Sequence, residues 1–95
     1  MNISGNLAAM NAASYSFAVS SNNVANASTD DFKAIEVTKS STPSGPIATS
    51  KQYDSRPNIA SEMVKQMRDT YDFKANAKAI KFHGEMVGTV IDMLA

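Results

Sequence analysis

From Ile59 to Leu94 the chain contains no proline. Along this stretch Ile59, Met63, Gln66, Thr70, Phe73, Ala77, Ile80, Gly84, Val87, Ile91 and Leu94 return in alternating steps of four and three. That is the heptad spacing of a helix with one face turned to another helix. It predicts a single helix over about residues 58–94, about 55 Å long at 1.5 Å per residue. Asn58 is the candidate N-cap, with Pro57 ahead of it and Glu62 in the first turn, where the helix dipole favours an anion. Lys65–Asp69, Arg68–Asp72 and Lys81–Glu85 are opposite charges four positions apart, expected to pair on the outer surface. Gln66, Thr70 and Gly84 interrupt the seam. Gly84 and Gly88 weaken helix propensity but permit close helix approach.

The other end of the chain carries a second seam of the same kind. Ile3, Leu7, Met10, Ser14, Phe17, Ser21 and Val24 also alternate four and three, which predicts a helix over about residues 4–27, capped near Asn2 or Ser4. Asn26 is the candidate left-handed stop, followed by the turn-forming Ser28-Thr29-Asp30-Asp31. No Lys, Arg, Asp or Glu occurs before Asp30. A helix that lacks charges on every face is suited to enclosure by other helices. A partner of this length cannot cover the longer helix, whose surplus seam therefore calls for another chain.

Residues 35–57 hold all three prolines and a Ser/Thr-rich run, Ser40 to Pro46, and read as a flexible linker. Ile35, Val37 and Ile47 could form short strand pieces, but no alternating run is long enough to predict a sheet. The expected fold is all-α, a two-helix hairpin or coiled coil. It forms one domain overall, with residues 1–34 and 58–95 as the helical parts and an irregular linker between them.

Composition narrows the function. The chain has 95 residues, nine basic and nine acidic, with no Cys and one His, His83. A balanced charge gives no electrostatic footprint for nucleic acid. No disulfide framework or Cys/His zinc site is available. No apolar run approaches the ~20 residues of a membrane span, and no basic start with a hydrophobic stretch marks a cleaved secretory signal. No nucleophile–base pair or phosphate loop points to an enzyme, and no cofactor is expected. Asp30-Asp31 reads as a turn and His83 as an ordinary surface or interface residue. The sequons at Asn2 and Asn26 read as chance matches, and the spacing of Gly84 and Gly88 as close helix packing, because nearby charges argue against a membrane helix.

Two separated motifs carry a family resemblance. Ser21 to Lys33, SNNVANASTDDFK, resembles the N-terminal signature of bacterial flagellar rod and hook proteins, in which N-N-[LIV]-A-N-x-x-T leads to G-[FY]-K. Asn22, Asn23, Val24, Ala25, Asn26, Thr29, Phe32 and Lys33 match, while Asp31 stands where the family usually has Gly. At the other end, Asn58 to Val64 and Phe73 to Ile80 resemble the family's NLAxEMV and YxANAKxI elements, and Glu85 to Asp92 resembles its EML-x-T-L-[LI]-[DN] tail. Thr70-Tyr71 replaces the family's frequent Gln-Arg pair. The resemblance covers residues 1–34 and 57–94, with the two motifs in the family's order.

The resemblance implies a structural axial subunit of the flagellar basal body. Such subunits build a tube through coiled-coil packing of their N- and C-terminal helices and are exported by the flagellar type III apparatus without a cleaved signal. Lacking the β-rich insertion of larger members, this chain would be a minimal subunit resembling the proximal rod class. Its implied partners are other rod and hook subunits, copies of itself and the export apparatus, with no nucleic acid and no membrane insertion. The motif and interface positions carried over are Asn22, Asn23, Val24, Ala25, Asn26, Thr29, Phe32, Lys33, Glu62, Met63, Phe73, Ala75, Asn76, Ala77, Ile80, Met86, Val87, Ile91 and Leu94. The alternative reading is a small helical-hairpin adaptor, chaperone-like or a secreted binding protein. An adaptor would give a closed oligomer.

Overall fold

A computed structural model of the chain describes residues 3–94. Two helices, α1 (Ser4–Ala25) and α2 (Ile59–Leu94), flank two strands, β1 (Ile35–Thr42) and β2 (Gly45–Gln52). The strands pair antiparallel from Ile35↔Gln52 to Thr42↔Gly45 as a two-stranded sheet. The fold is therefore a mixture of α and β, and the expected all-α hairpin with an irregular linker is overturned. The physical reason lies in the segment itself. Ile35, Val37, Thr38 and Thr42 on one arm and Ile47 and Thr49 on the other are β-branched and suit a pleated surface. Thr42-Pro43-Ser44-Gly45 between them has the residue preferences of a tight turn. The hydroxyl of Thr42 closes the turn on the carbonyl of Gly45. Pro46 lies in an edge strand, the setting in which a sheet tolerates proline.

Both helices lie within two residues of the ranges that their periodicity predicts, but their ends differ in detail. Asn58 caps α2, accepting the Ser61 amide on its side-chain oxygen at 3.1 Å and the Glu62 amide on its carbonyl at 2.9 Å. Ile3 stands at the N-cap of α1 without a side-chain cap bond, and Asn2 lies outside the described residues. Asn26 ends α1 with φ −103°, so it is not the expected left-handed stop. The left-handed residue is Asp31, at φ 60°. This is the position where the motif read from the sequence would have Gly, and here aspartate holds the left-handed conformation itself.

The hairpin lies along α1, its tip against the first turns. A Cβ on Gly45, whose φ is +117°, would come within 2.8 Å of Ala8 Cβ and 3.0 Å of Gly5 Cα. Glycine is required by both the backbone angle and the close approach. The helices run antiparallel, with Ser16 beside Asp69 and Ser20 beside Glu62, which puts Ser4 opposite about residue 80. Beyond that point α2 has no α1 beside it, and every residue from Gly84 to Leu94 is exposed. The chain is accordingly elongated, 64 × 23 × 13 Å, with a radius of gyration of 17.3 Å against about 12 Å for a compact chain of this length.

Candidate functional site

The interior is polar. Among the described residues the only buried apolar side chains are Ala12, Ala13 and Ala34, whereas Ser16, Ser20, Asn23, Glu62 and Asp69 are all buried. On α1 the inward stripe is therefore Ala12, Ala13, Ser16, Ser20 and Asn23, and the larger seam residues Leu7 and Phe17 are exposed. On α2 the inward positions are Glu62 and Asp69, and the seam residues Ile59, Met63, Val87, Ile91 and Leu94 are exposed. Small side chains let the helices approach, and hydrogen bonds replace the usual apolar contact.

These bonds form two linked clusters. In the first, Asn23 Nδ2 donates to Glu62 Oε1 at 3.1 Å and to the Ile35 carbonyl at 2.8 Å, while its Oδ1 accepts the Ile35 amide at 3.0 Å. One side chain thus pairs with the start of β1 as a neighbouring strand would, and also holds α2. Ser20 Oγ lies 2.8 Å from Glu62 Oε2 and 3.0 Å from the Glu62 carbonyl, sharing its single proton between them. Lys65 reaches Glu62 Oε1 at 3.4 Å and forms a close ion pair with Glu36 of β1. In the second cluster Ser16 Oγ donates to Asp69 Oδ2 at 2.7 Å, and Lys39 of β1 meets Asp69 Oδ1 at 3.1 Å and Asp72 at 3.6 Å. Among the described residues no buried side-chain N or O atom lacks a partner. Such full satisfaction is what makes a buried polar seam tolerable.

The expected surface pairs of α2 are rearranged by this network. Lys65 takes Glu36 and Glu62 in place of Asp69, and Asp72 takes Lys39 in place of Arg68. Lys81 and Glu85 form no ion pair among the described residues. Burial of the Lys65 ammonium acts to lower its pKa. The hydrogen bond to Glu36 and the attraction of Glu62 and Glu36 outweigh this and raise it above 10.5.

The motif residues divide between the buried clasp and the surface. Asn23 and Glu62, from opposite ends of the chain, meet at its centre. Asn22 accepts the Asn26 amide on its carbonyl at 3.1 Å, and Thr29 Oγ1 donates to Asn26 Oδ1 at 3.2 Å, so Asn22, Asn26 and Thr29 build the exit from α1. Val24 is half-buried and Ala25 exposed. Phe32, half-buried, bonds through its amide to the Thr29 carbonyl at 3.3 Å, and Lys33 makes an exposed ion pair with Asp54 at 2.6 Å. Arg56 and Asp30 lie 3.9 Å apart in the open. Asn76 turns back on its own helix, donating to the Asp72 carbonyl at 2.8 Å, between exposed Ala75 and half-buried Ala77 and Ile80. Met63, Phe73, Met86, Val87, Ile91 and Leu94 are exposed to differing degrees. Sequence reading missed Ser16, Ser20, Lys39 and Asp69. The available signal was Ser16, Ser20 and Asn23 in steps of four and three, facing Glu62 and Asp69 one heptad apart.

Outside the clasp lies an open groove of about 290 Å³ between the helices, lined by Phe17, Thr70, Phe73 and Lys74. It continues past Phe17 into a wider one of about 490 Å³ beside Met63, Met67 and Tyr71. Half-buried His83 stands on α2 just past the level of the first turn of α1. Among the described residues no cluster of three potential metal-ligating side chains forms, and no helix is long and apolar enough to cross a membrane. No family model matches the chain, and no curated protein matches it at a significant level.

Proposed function

We propose that the chain is a structural axial subunit of the bacterial flagellar basal body, of the rod and hook family, and that it acts by assembly and not by turnover. The observation that supports this reading most directly is the inverted placement of its side chains. A polar clasp joins the two family-like motifs through Asn23 and Glu62, and most of the large apolar residues of both helices, Leu7, Phe17, Met63 and Val87 among them, are exposed. Exposed apolar area on this scale is a protein-contact surface. A chain whose buried apolar residues, among those described, are three alanines gains little from folding alone. Export without a cleaved signal, by the flagellar type III apparatus, belongs to the same proposal, as do other rod and hook subunits as partners. On this reading the hairpin at 35–52 would stand where longer family members carry a β-rich insertion.

Mass spectrometry of purified hook–basal bodies from the source bacterium, with a deletion strain as control, tests the reading. The chain is expected there in several copies, and replacing Ile80 or Val87 with Asp is expected to abolish motility while leaving synthesis intact. Its absence from basal bodies, or normal swimming of those variants, would overturn the axial role.

A further inference from the structure

The distal half of α2 has three features that the monomer does not use. Val87, Ile91 and Leu94 are 43, 60 and 82 % exposed. A Cβ added at Gly84 or Gly88 would meet nothing within 4 Å, so neither glycine serves packing within the chain. Lys74, Lys81, Glu85 and Asp92 make no ion pair among the described residues.

At 3.6 residues per turn these four charged positions fall within about 40° of one another, on one flank of the helix. Gly84 and Gly88 lie beside them, and Val87 and Ile91 on the flank beyond. The charges are ordered along the helix, cations first and anions last. Placed antiparallel about residue 83, two copies set Lys74 opposite Asp92 and Lys81 opposite Glu85 in the same register, on both sides of a two-fold axis. Lys78 then falls opposite Gly88, between the partner's two acids. The register also brings Ile91 and Leu94 of each copy to residues 72–75 of the other. There the groove lined by Phe17, Phe73 and Lys74 stands open. A parallel in-register pair would instead turn this charged flank toward the partner's opposite flank, so the lysines and acids would not meet.

From this charge pattern we infer that the distal half of α2 is the interface of an antiparallel two-fold homodimer centred near His83 and Gly84. The glycines let the two backbones approach, the branched apolar residues fill one flank, and four ion pairs close the other. The contact is isologous, so it closes at two copies. The inference concerns the free chain before assembly and goes beyond the axial reading: the dimer covers the same face of α2, Val87 included, so it must dissociate before a subunit joins an axial assembly. Failure of the dimer leaves that reading standing, and absence from basal bodies leaves the dimer standing.

Sedimentation equilibrium of the full chain tests it. The wild type is expected to pass from monomer to dimer with rising concentration and to grow no further, and added salt should weaken the dimer. Lys81→Glu and Glu85→Lys should each weaken self-association at least tenfold. Mixed together they should restore a one-to-one heterodimer, because every cross-pair is then attractive. Helical circular dichroism of each variant controls for folding. Because the chain has no cysteine, Gly84→Cys should cross-link to its own copy under oxidation and Leu94→Cys should not. A chain that stays monomeric at millimolar concentration, open-ended growth, a mixture that fails to pair, or equal cross-linking at both positions would each overturn the inference.

Discussion

Asn23 and Glu62, 39 positions apart, are joined by a 3.1 Å hydrogen bond that ties the end of α1 to the first turn of α2. The same Asn23 amide holds both the N–H and the C=O of Ile35, so helix, helix and hairpin meet at one side chain. Replacing Asn23 with Ala strips partners from all three groups at once. A buried polar group left unpaired costs about 1–3 kcal/mol, so Asn23→Ala should lower stability by about 3 kcal/mol. Urea titration followed by circular dichroism reads this, and an unchanged midpoint would show that the clasp contributes nothing.

Lys65 supplies a pH dependence at the alkaline end. Its pKa is raised in the folded chain, burial being outweighed by the hydrogen bond to Glu36 and the attraction of Glu62 and Glu36. A raised value means that the folded state holds the proton more tightly than the unfolded state. The stabilisation is therefore complete below about pH 10.5 and fades as pH climbs through the folded value. Lys65→Met should melt lower than the wild type at pH 8, with the gap narrowing above pH 10.5. Parallel melting curves across that range would refute the assignment.

Asp31 sits at φ 60°, a conformation that costs an L-residue about 1–2 kcal/mol and glycine almost nothing. Asp31→Gly should therefore stabilise the chain by up to about 1 kcal/mol, and Asp31→Val should destabilise it by at least as much. Thermal midpoints of the two variants should lie on opposite sides of the wild type.

Gly45 and Gly88 should respond to alanine in opposite directions. At Gly45 a new Cβ would meet Ala8 at 2.8 Å on a backbone already at φ +117°, so Gly45→Ala should cost about 2 kcal/mol and lift the hairpin tip from α1. At Gly88 a Cβ meets nothing, and Gly88→Ala should add about 1 kcal/mol of helix propensity. Hydrogen exchange at residues 35–52 and at 84–94, measured at low protein concentration, separates the two effects.

The helices were legible because thirty-six residues of α2 and twenty-two of α1 repeat a heptad without proline. Which face turns inward was not legible from hydrophobicity, since Leu7, Met63 and Ile91 lie outside while Ser16, Ser20 and Glu62 lie inside. The partner that decides a buried carboxylate's position is a hydroxyl more than forty residues away, as for Ser20 and Glu62, and no local pattern reports such a pairing. The hairpin escaped for a different reason. Its strands alternate too weakly, with Lys39, Ser40 and Ser41 consecutive and exposed, and their packing on α1 depends on Gly5 and Gly45 meeting across forty positions. The clasp residues Asn23 and Glu62 were reached through the family resemblance, which could mark the positions but not their contact.

An interior whose buried apolar residues, among those described, are Ala12, Ala13 and Ala34 also fixes the thermal signature of the chain. Heat capacity on unfolding rises with newly exposed apolar area and falls with newly exposed polar area. This chain hides polar groups and already shows Met63, Met67, Met86, Met93, Phe17, Phe73, Phe82 and several branched side chains to water. Its unfolding should absorb little extra heat capacity for its length, with a flat stability curve and a shallow denaturant slope. On the assembly proposed above, the large heat-capacity change that most domains record when they fold would come only when chains meet.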